Sequence, residues 1–102
     1  MFVCIPLKSP DKRRPVLILT RTAAIPDLTW ITVAPITSTL RNIRSEVWLD
    51  DSDGMTQECA VNLDNIQTVQ KEKLGKIISH LRSEKMTEVR DAVNFAFDFL
   101  LV

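Results

Sequence analysis

The chain has 102 residues, 45% of them apolar and 25% charged, with two glycines and five prolines. That supplies one core and a single domain over residues 1–102, and it excludes a low-complexity or disordered chain. The longest apolar stretches run only a few residues, well short of the ~18 a membrane span needs, and the N-terminus lacks a basic, then long apolar, leader pattern, so a soluble cytoplasmic protein is expected. Thirteen basic residues balance thirteen acidic ones, yet residues 1–44 hold seven basic and two acidic residues while 45–102 hold six and eleven. The balance therefore conceals a basic half able to hold a polyanion.

Phe2 to Leu7 has the composition of a short strand, stopped by the turn-forming Lys8-Ser9-Pro10-Asp11-Lys12. Pro15 to Thr20 is an aliphatic, β-branched run and reads as a strand buried on both faces, with Pro15 at its start where no ladder donor is needed. Ala23 to Asp27 reads as loop. Leu28 to Ala34 is a second strong strand, which Pro35 ends or marks as an edge. Glu46 to Leu49 alternates polar and apolar, a strand with one wet face. Asp50 to Gly54 is a turn whose acids are explained by solvation; the spacing around Gly54 puts Leu49 at the first ligand position of a calcium loop and so rejects one. Cys59–Leu63, Asn65–Val69 and Lys76–Leu81 supply further short strands, with a single turn at residues 71–74. From Ser83, read as a helix N-cap, apolar residues recur at Met86, Val89, Val93, Ala96, Phe97 and Leu100, the rhythm of an amphipathic helix over about residues 84–100. Trp30 and Trp48 sit at strand positions that favour core packing. The pattern predicts a mostly β protein with a C-terminal helix, a small barrel.

Most familiar chemistry is absent from the sequence. Cys4 and Cys59 have no metal-ligand spacing and read as reduced, largely buried thiols. The one histidine, His80, stands in a probable strand beside Ser79 and is better explained as a half-buried filler than as a general base. No phosphate-cradling glycine loop, zinc motif or paired-imidazole site is present, so neither cofactor nor metal is expected. What remains is Lys12-Arg13-Arg14-Pro15 before one buried strand and Thr37-Ser38-Thr39 after the next. If those strands pair antiparallel, a guanidinium faces a small hydroxyl at their ends, and arginine's planar donors match two phosphate oxygens at once. A solvated basic turn and a threonine bonded to its own backbone explain the same residues.

Arg13-Arg14-Pro15-Val16-Leu17-Ile18-Leu19, Val33-Ala34-Pro35-Ile36-Thr37-Ser38, Val61 to Val69, and Leu74-Gly75-Lys76-Ile77-Ile78 through Ser83 to the helix occur in the order and spacing of the MazF/PemK toxin family, and the sequence resembles that family over nearly its whole length. The resemblance implies an SH3-like β-barrel of the CcdB/MazF plasmid-maintenance-toxin type, forming a homodimer. It implies sequence-specific, metal-independent cleavage of single-stranded RNA by the ribose 2′-OH, leaving a 2′,3′-cyclic phosphate and a 5′-hydroxyl. It also implies an antitoxin that lays an acidic C-terminal segment over the dimer groove. The catalytic arginine and threonine of the family fall on Arg14 and Thr37. Lys12, Arg13, Ser38, Arg41 and Arg44 are then expected along the RNA backbone, with Gln57, Asp64 and Asn65 reading base edges. The family's usual opening strand and the loop that follows it are shortened here, which bears on the RNA sequence preferred. Two alternatives stand beside this reading. One is a gyrase-poisoning toxin on the same barrel, which depends on a C-terminal Trp-Gly-Ile where this chain has Phe99-Leu100-Leu101-Val102. The other is a catalytically silent barrel that binds RNA or antitoxin.

Overall fold

The computed structural model describes residues 2–6 and 14–99, the backbone alone for residues 2–6. Among the described residues seven strands, β1 (Phe2–Pro6), β2 (Val16–Ile18), β3 (Trp30–Thr37), β4 (Glu46–Leu49), β5 (Cys59–Asn62), β6 (Gln67–Gln70) and β7 (Leu74–His80), precede one α-helix, α1 (Ser83–Ala96). All pairings are antiparallel, in the order β4-β5-β3-β2-β1-β7, with β6 also on β3.

The sheet wraps around two apolar clusters because β2 and β3 bury both of their faces. Leu17 joins Ala34, Ile36, Val47, Leu49, Met55, Val61, Leu63 and Leu81 beneath Val89 and Ala92 of α1. Its neighbour Ile18 points the other way, to Ile31 and Val33. Period-two alternation makes this division automatic once both faces are apolar.

Strand β3 does not stop at Pro35. It pairs with β6 through Val33 and with β5 from Ile36. The Ile36 amide donates to the Pro15 carbonyl (3.1 Å) and the Leu19 amide to the Thr32 carbonyl (2.9 Å), so even-numbered amides of β3 face β2. An amide at residue 35 would face the opposite side, where β3 exchanges one partner for another, and a proline there breaks no ladder bond.

The path of pairing is open, with no hydrogen-bonded ladder between β4 and β7 among the described residues. The turn after β4 bridges that gap. Residues Asp51–Asp53 form a 3₁₀ turn whose Asp50 and Asp53 cap each other's backbone. The Ser79 hydroxyl of β7 donates to the Asp53 carbonyl (2.5 Å). Gly54 follows with φ +87°, and a Cβ there would lie 2.8 Å from Ser79 Oγ, so both the backbone and the space require glycine.

Several expectations need correction. Residues 22–27 form a 3₁₀ helix rather than loop. Asp53 is buried, not solvated. Trp30 and Trp48 are 54% and 48% exposed, not in the core: β4 and the start of β3 turn those positions outward. His80 is exposed rather than half-buried. The N-cap of α1 is Arg82, without a side-chain cap, and Ser83 is already helical. The helix ends at Ala96 because Asp98 turns left-handed (φ 57°), a conformation that aspartate tolerates better than most residues.

Candidate active-site cleft

Register decides what meets at the mouth of the barrel. Val16 pairs with Pro35, Leu17 with Ala34 and Ile18 with Val33. Continued outward through the Ile36–Pro15 bond, the same register sets Arg14 opposite Thr37. On the other side of β3, Thr37 pairs with Ala60 of β5, so the residues before Cys59 run back beside Ser38. Three segments therefore meet at one end of the sheet: the start of β2, the end of β3 and the connection into β5.

They enclose a cleft of about 420 Å³ with Arg14, Thr37, Ser38 and Gln57 in its walls, together with Gly54, Met55, Thr56 and Cys59. Arg14 is exposed and Thr37 half-buried. The Thr37 Oγ1 accepts from the Thr39 amide (3.1 Å), which fixes the oxygen and leaves that bond without need of the hydroxyl proton. A guanidinium with planar donors and an oriented hydroxyl on facing strand ends make a ready phosphate cradle. The thiol of Cys59 is pushed above its usual range, first by burial and then by the charges of Asp53 and Asp50, so at neutral pH it is neither nucleophile nor base. Among the described residues no cluster of three or more His, Cys, Asp or Glu side chains is placed to hold a metal ion.

The remaining expected site residues lie elsewhere. Lys12 and Arg13 fall outside the described residues. Arg41 donates from its Nε and its backbone amide to the two oxygens of the buried Glu46 carboxylate, both at 3.0 Å, and so ties the loop after β3 to β4. Arg44 lies over the Phe95 ring of α1, 4.5 Å from its centre. Asp64 accepts from the buried Ser45 hydroxyl (2.5 Å), and its amide donates to Asn62. Neither Asp64 nor Asn65 lines the cleft. Conversely, Gly54, Met55, Thr56 and Cys59 line the cleft although no sequence motif marks them. The available signal was positional: a turn leading into the strand that pairs with Thr37 has to pass the same mouth.

The family model for the PemK-like, MazF-like toxin of type II toxin-antitoxin systems matches residues 4–97. The chain belongs to this toxin family. Among curated relatives it is 44% identical over 88 residues to endoribonuclease MazF3 of Mycobacterium tuberculosis, covering 86% of this chain and 85% of the relative. It is 40% identical over 87 residues to the probable endoribonuclease MazF5 of the same organism, covering 84% and 80%. The solved Mycobacterium tuberculosis toxin MazF-mt6 superposes with a TM-score of 0.89 at 41% identity, covering 96% of this chain and 97% of that one. The fold is thus the barrel of the MazF toxins, as the sequence pattern and resemblance led one to expect. No helix among the described residues is long and apolar enough to cross a membrane.

Proposed function

We propose that this MazF-family toxin is an endoribonuclease that cuts single-stranded RNA at a phosphodiester held between Arg14 and Thr37. The supporting observation is the β2–β3 register that sets these two residues opposite each other in the wall of one cleft. The curated relatives named as endoribonucleases support the same reading.

RNA carries its own nucleophile. The 2′-oxygen forms a bond to phosphorus, the bond to the 5′-oxygen breaks, and the products are a 2′,3′-cyclic phosphate and a 5′-hydroxyl. One proton leaves the 2′-oxygen and one arrives at the 5′-oxygen, so the step balances without a co-reactant. The protein must align the two oxygens and stabilise the charge that builds on the phosphorane. Arg14 does this by charge and bidentate hydrogen bonding rather than as an acid, because a guanidinium stays protonated far above neutral pH. Thr37 donates its hydroxyl proton to a phosphate oxygen while the Thr39 amide holds the oxygen in place. Arginine supplies the positive charge that other nucleases take from a metal, and the reaction is metal-independent on this reading.

Ser38 and Gln57 contact the nucleotides flanking the cut, Gln57 through a base edge, and give the cleavage its sequence preference. Lys12, Arg13, Arg41 and Arg44 follow the backbone further out, Arg41 and Arg44 through guanidinium nitrogens left over from their internal contacts. Asp64 and Asn65 meet bases only where the strand leaves the cleft. The active unit is a cytoplasmic homodimer, silenced by an antitoxin whose acidic segment competes for the same basic mouth.

Incubating the purified protein with a long transcript in EDTA and mapping the new ends tests this. Discrete cuts with 5′-hydroxyl ends are expected, lost in Arg14→Ala. Intact RNA, or unchanged cleavage by the variant, overturns the assignment.

A further inference from the structure

The turn that bridges the gap between β4 and β7 also leads into one wall of the cleft, and it is rooted on a carboxylate to which the cleavage reaction gives no part. The Asp53 side chain is only 1% exposed. Its Oδ2 accepts from the Asp50 amide at 3.0 Å, and its carbonyl accepts from Ser79 Oγ. Its Oδ1 is buried and accepts no hydrogen bond among the described residues; Arg82 Nη2 lies 3.8 Å away. Burying a carboxylate with one oxygen incompletely paired works against stability, and a well-packed apolar residue would serve a purely structural turn better. Directly after Asp53 come Gly54, in a left-handed conformation that other residues rarely adopt, and the buried Met55. Beyond these, Thr56 and Gln57 stand exposed in the cleft wall.

We propose that Asp53 is a positioning residue: pinned to β7 through Ser79 and drawn toward Arg82, it sets the distance between the wall of residues 54–57 and the Arg14–Thr37 wall across which a single nucleic-acid strand is held. The inference rests on the endoribonuclease reading and adds to it the element that fixes the width of the cleft. Arg14 lies just before β2 and Thr37 ends β3, and the bonds of Asp53 run to Asp50, Ser79 and Arg82 instead, so Asp53 governs binding of the strand and not the chemical step.

The test uses the full chain with four readouts: kcat and KM on the shortest transcript fragment the wild type cuts, Kd for a fluorescent 2′-deoxy oligonucleotide of the same sequence, and folding by circular dichroism. Asp53→Ala, which loses both the cap and the ion pair, is expected to raise KM and Kd by about tenfold or more with kcat nearly unchanged. Asp53→Asn keeps an oxygen for the Asp50 amide and restores part of the loss. Ser79→Ala, which removes the tie from the other side, reproduces it. Where Asp53→Ala does not fold, the other two variants decide. Wild-type KM and Kd in folded variants, or a fall in kcat at constant KM, overturns the proposal. A wild-type protein that cuts no RNA sinks the endoribonuclease reading, and Kd for a mixed-sequence 2′-deoxy oligonucleotide then decides alone: a raised Kd in the variants supports the anchor, while an unchanged Kd, or no wild-type binding, overturns it.

Discussion

Arg14 and Thr37 face each other across the β2–β3 ladder, one step beyond the Pro15 carbonyl that accepts the Ile36 amide. Neither side chain needs a long loop to reach the other. Their backbone spacing is set by pairing between two strands that feed both apolar clusters.

Loss of either member should therefore act on rate rather than on folding. Arg14→Ala and Thr37→Ala are each expected to lower single-turnover cleavage by about 10²–10³-fold, the usual cost of losing one transition-state donor. Arg14→Lys recovers little, since a point charge cannot replace two planar donors. Melting curves of all three should overlay the wild type.

Glu46 makes the opposite prediction. Its buried carboxylate receives both the backbone amide and the Nε of Arg41. Glu46→Ala strands these donors and should cost about 2 kcal/mol, read as a fall of the order of 10 °C in Tm. Arg41→Ala should also melt lower and, if the proposed RNA contact exists, should flatten the slope of log affinity against log salt by about 0.7.

Gly54→Ala meets two obstacles at once, a left-handed backbone and Ser79 Oγ at 2.8 Å from the new Cβ. A loss of about 1–3 kcal/mol is expected in chemical denaturation. Gly54→Ala combined with Ser79→Gly relieves the clash but keeps the strain and gives up the Ser79–Asp53 bond, so it should melt no higher than Gly54→Ala alone.

Two titrations follow from the same turn. Asp50 is exposed, and its carboxyl is held below its ordinary value of 3.8, first by the Ser52 hydroxyl and then by the Ser52 amide. The folded state keeps it ionised more readily than the unfolded chain does. Its stabilisation is therefore present above about pH 4 and is lost as the pH falls through the lowered folded value. The acid limb of a Tm-against-pH plot should flatten in Asp50→Ala.

Cys59 carries the reverse sign. Burial raises its thiol above the ordinary 9.0, so the unfolded chain ionises first and stability declines as the pH climbs past that value toward the higher folded one. At pH 8, peptide-mapped alkylation of Cys59 should be slow in the native protein and fast in urea.

Much of this architecture was legible in the residues. Val16 to Leu19 and Val33 to Ile36 are apolar at successive positions, the mark of strands buried on both faces, and pairing them brings Arg14 to Thr37. Other features depend on contacts distant in sequence. Nothing local distinguishes Trp30 and Trp48, exposed at strand positions, from core tryptophans. Asp53 looks like one more acid in a hydrophilic turn until Ser79 and Arg82, some thirty residues on, close over it. Pro35 looks like a terminator because the exchange of β6 for β5 along β3 is a property of the assembled sheet. Of the cleft wall at residues 54–57 only Gln57 is legible as a site residue in the sequence, because the segment becomes a wall only when β5 is set beside Thr37.

That exchange has a dynamic consequence. One strand carries ladders to β2, β5 and β6, so freeing it breaks pairing in both halves of the barrel. Amide protons along residues 31–37 should be the last to exchange with deuterated solvent, at a rate matching complete unfolding. A protease would then reach the bonds of this central strand only in the fully unfolded chain.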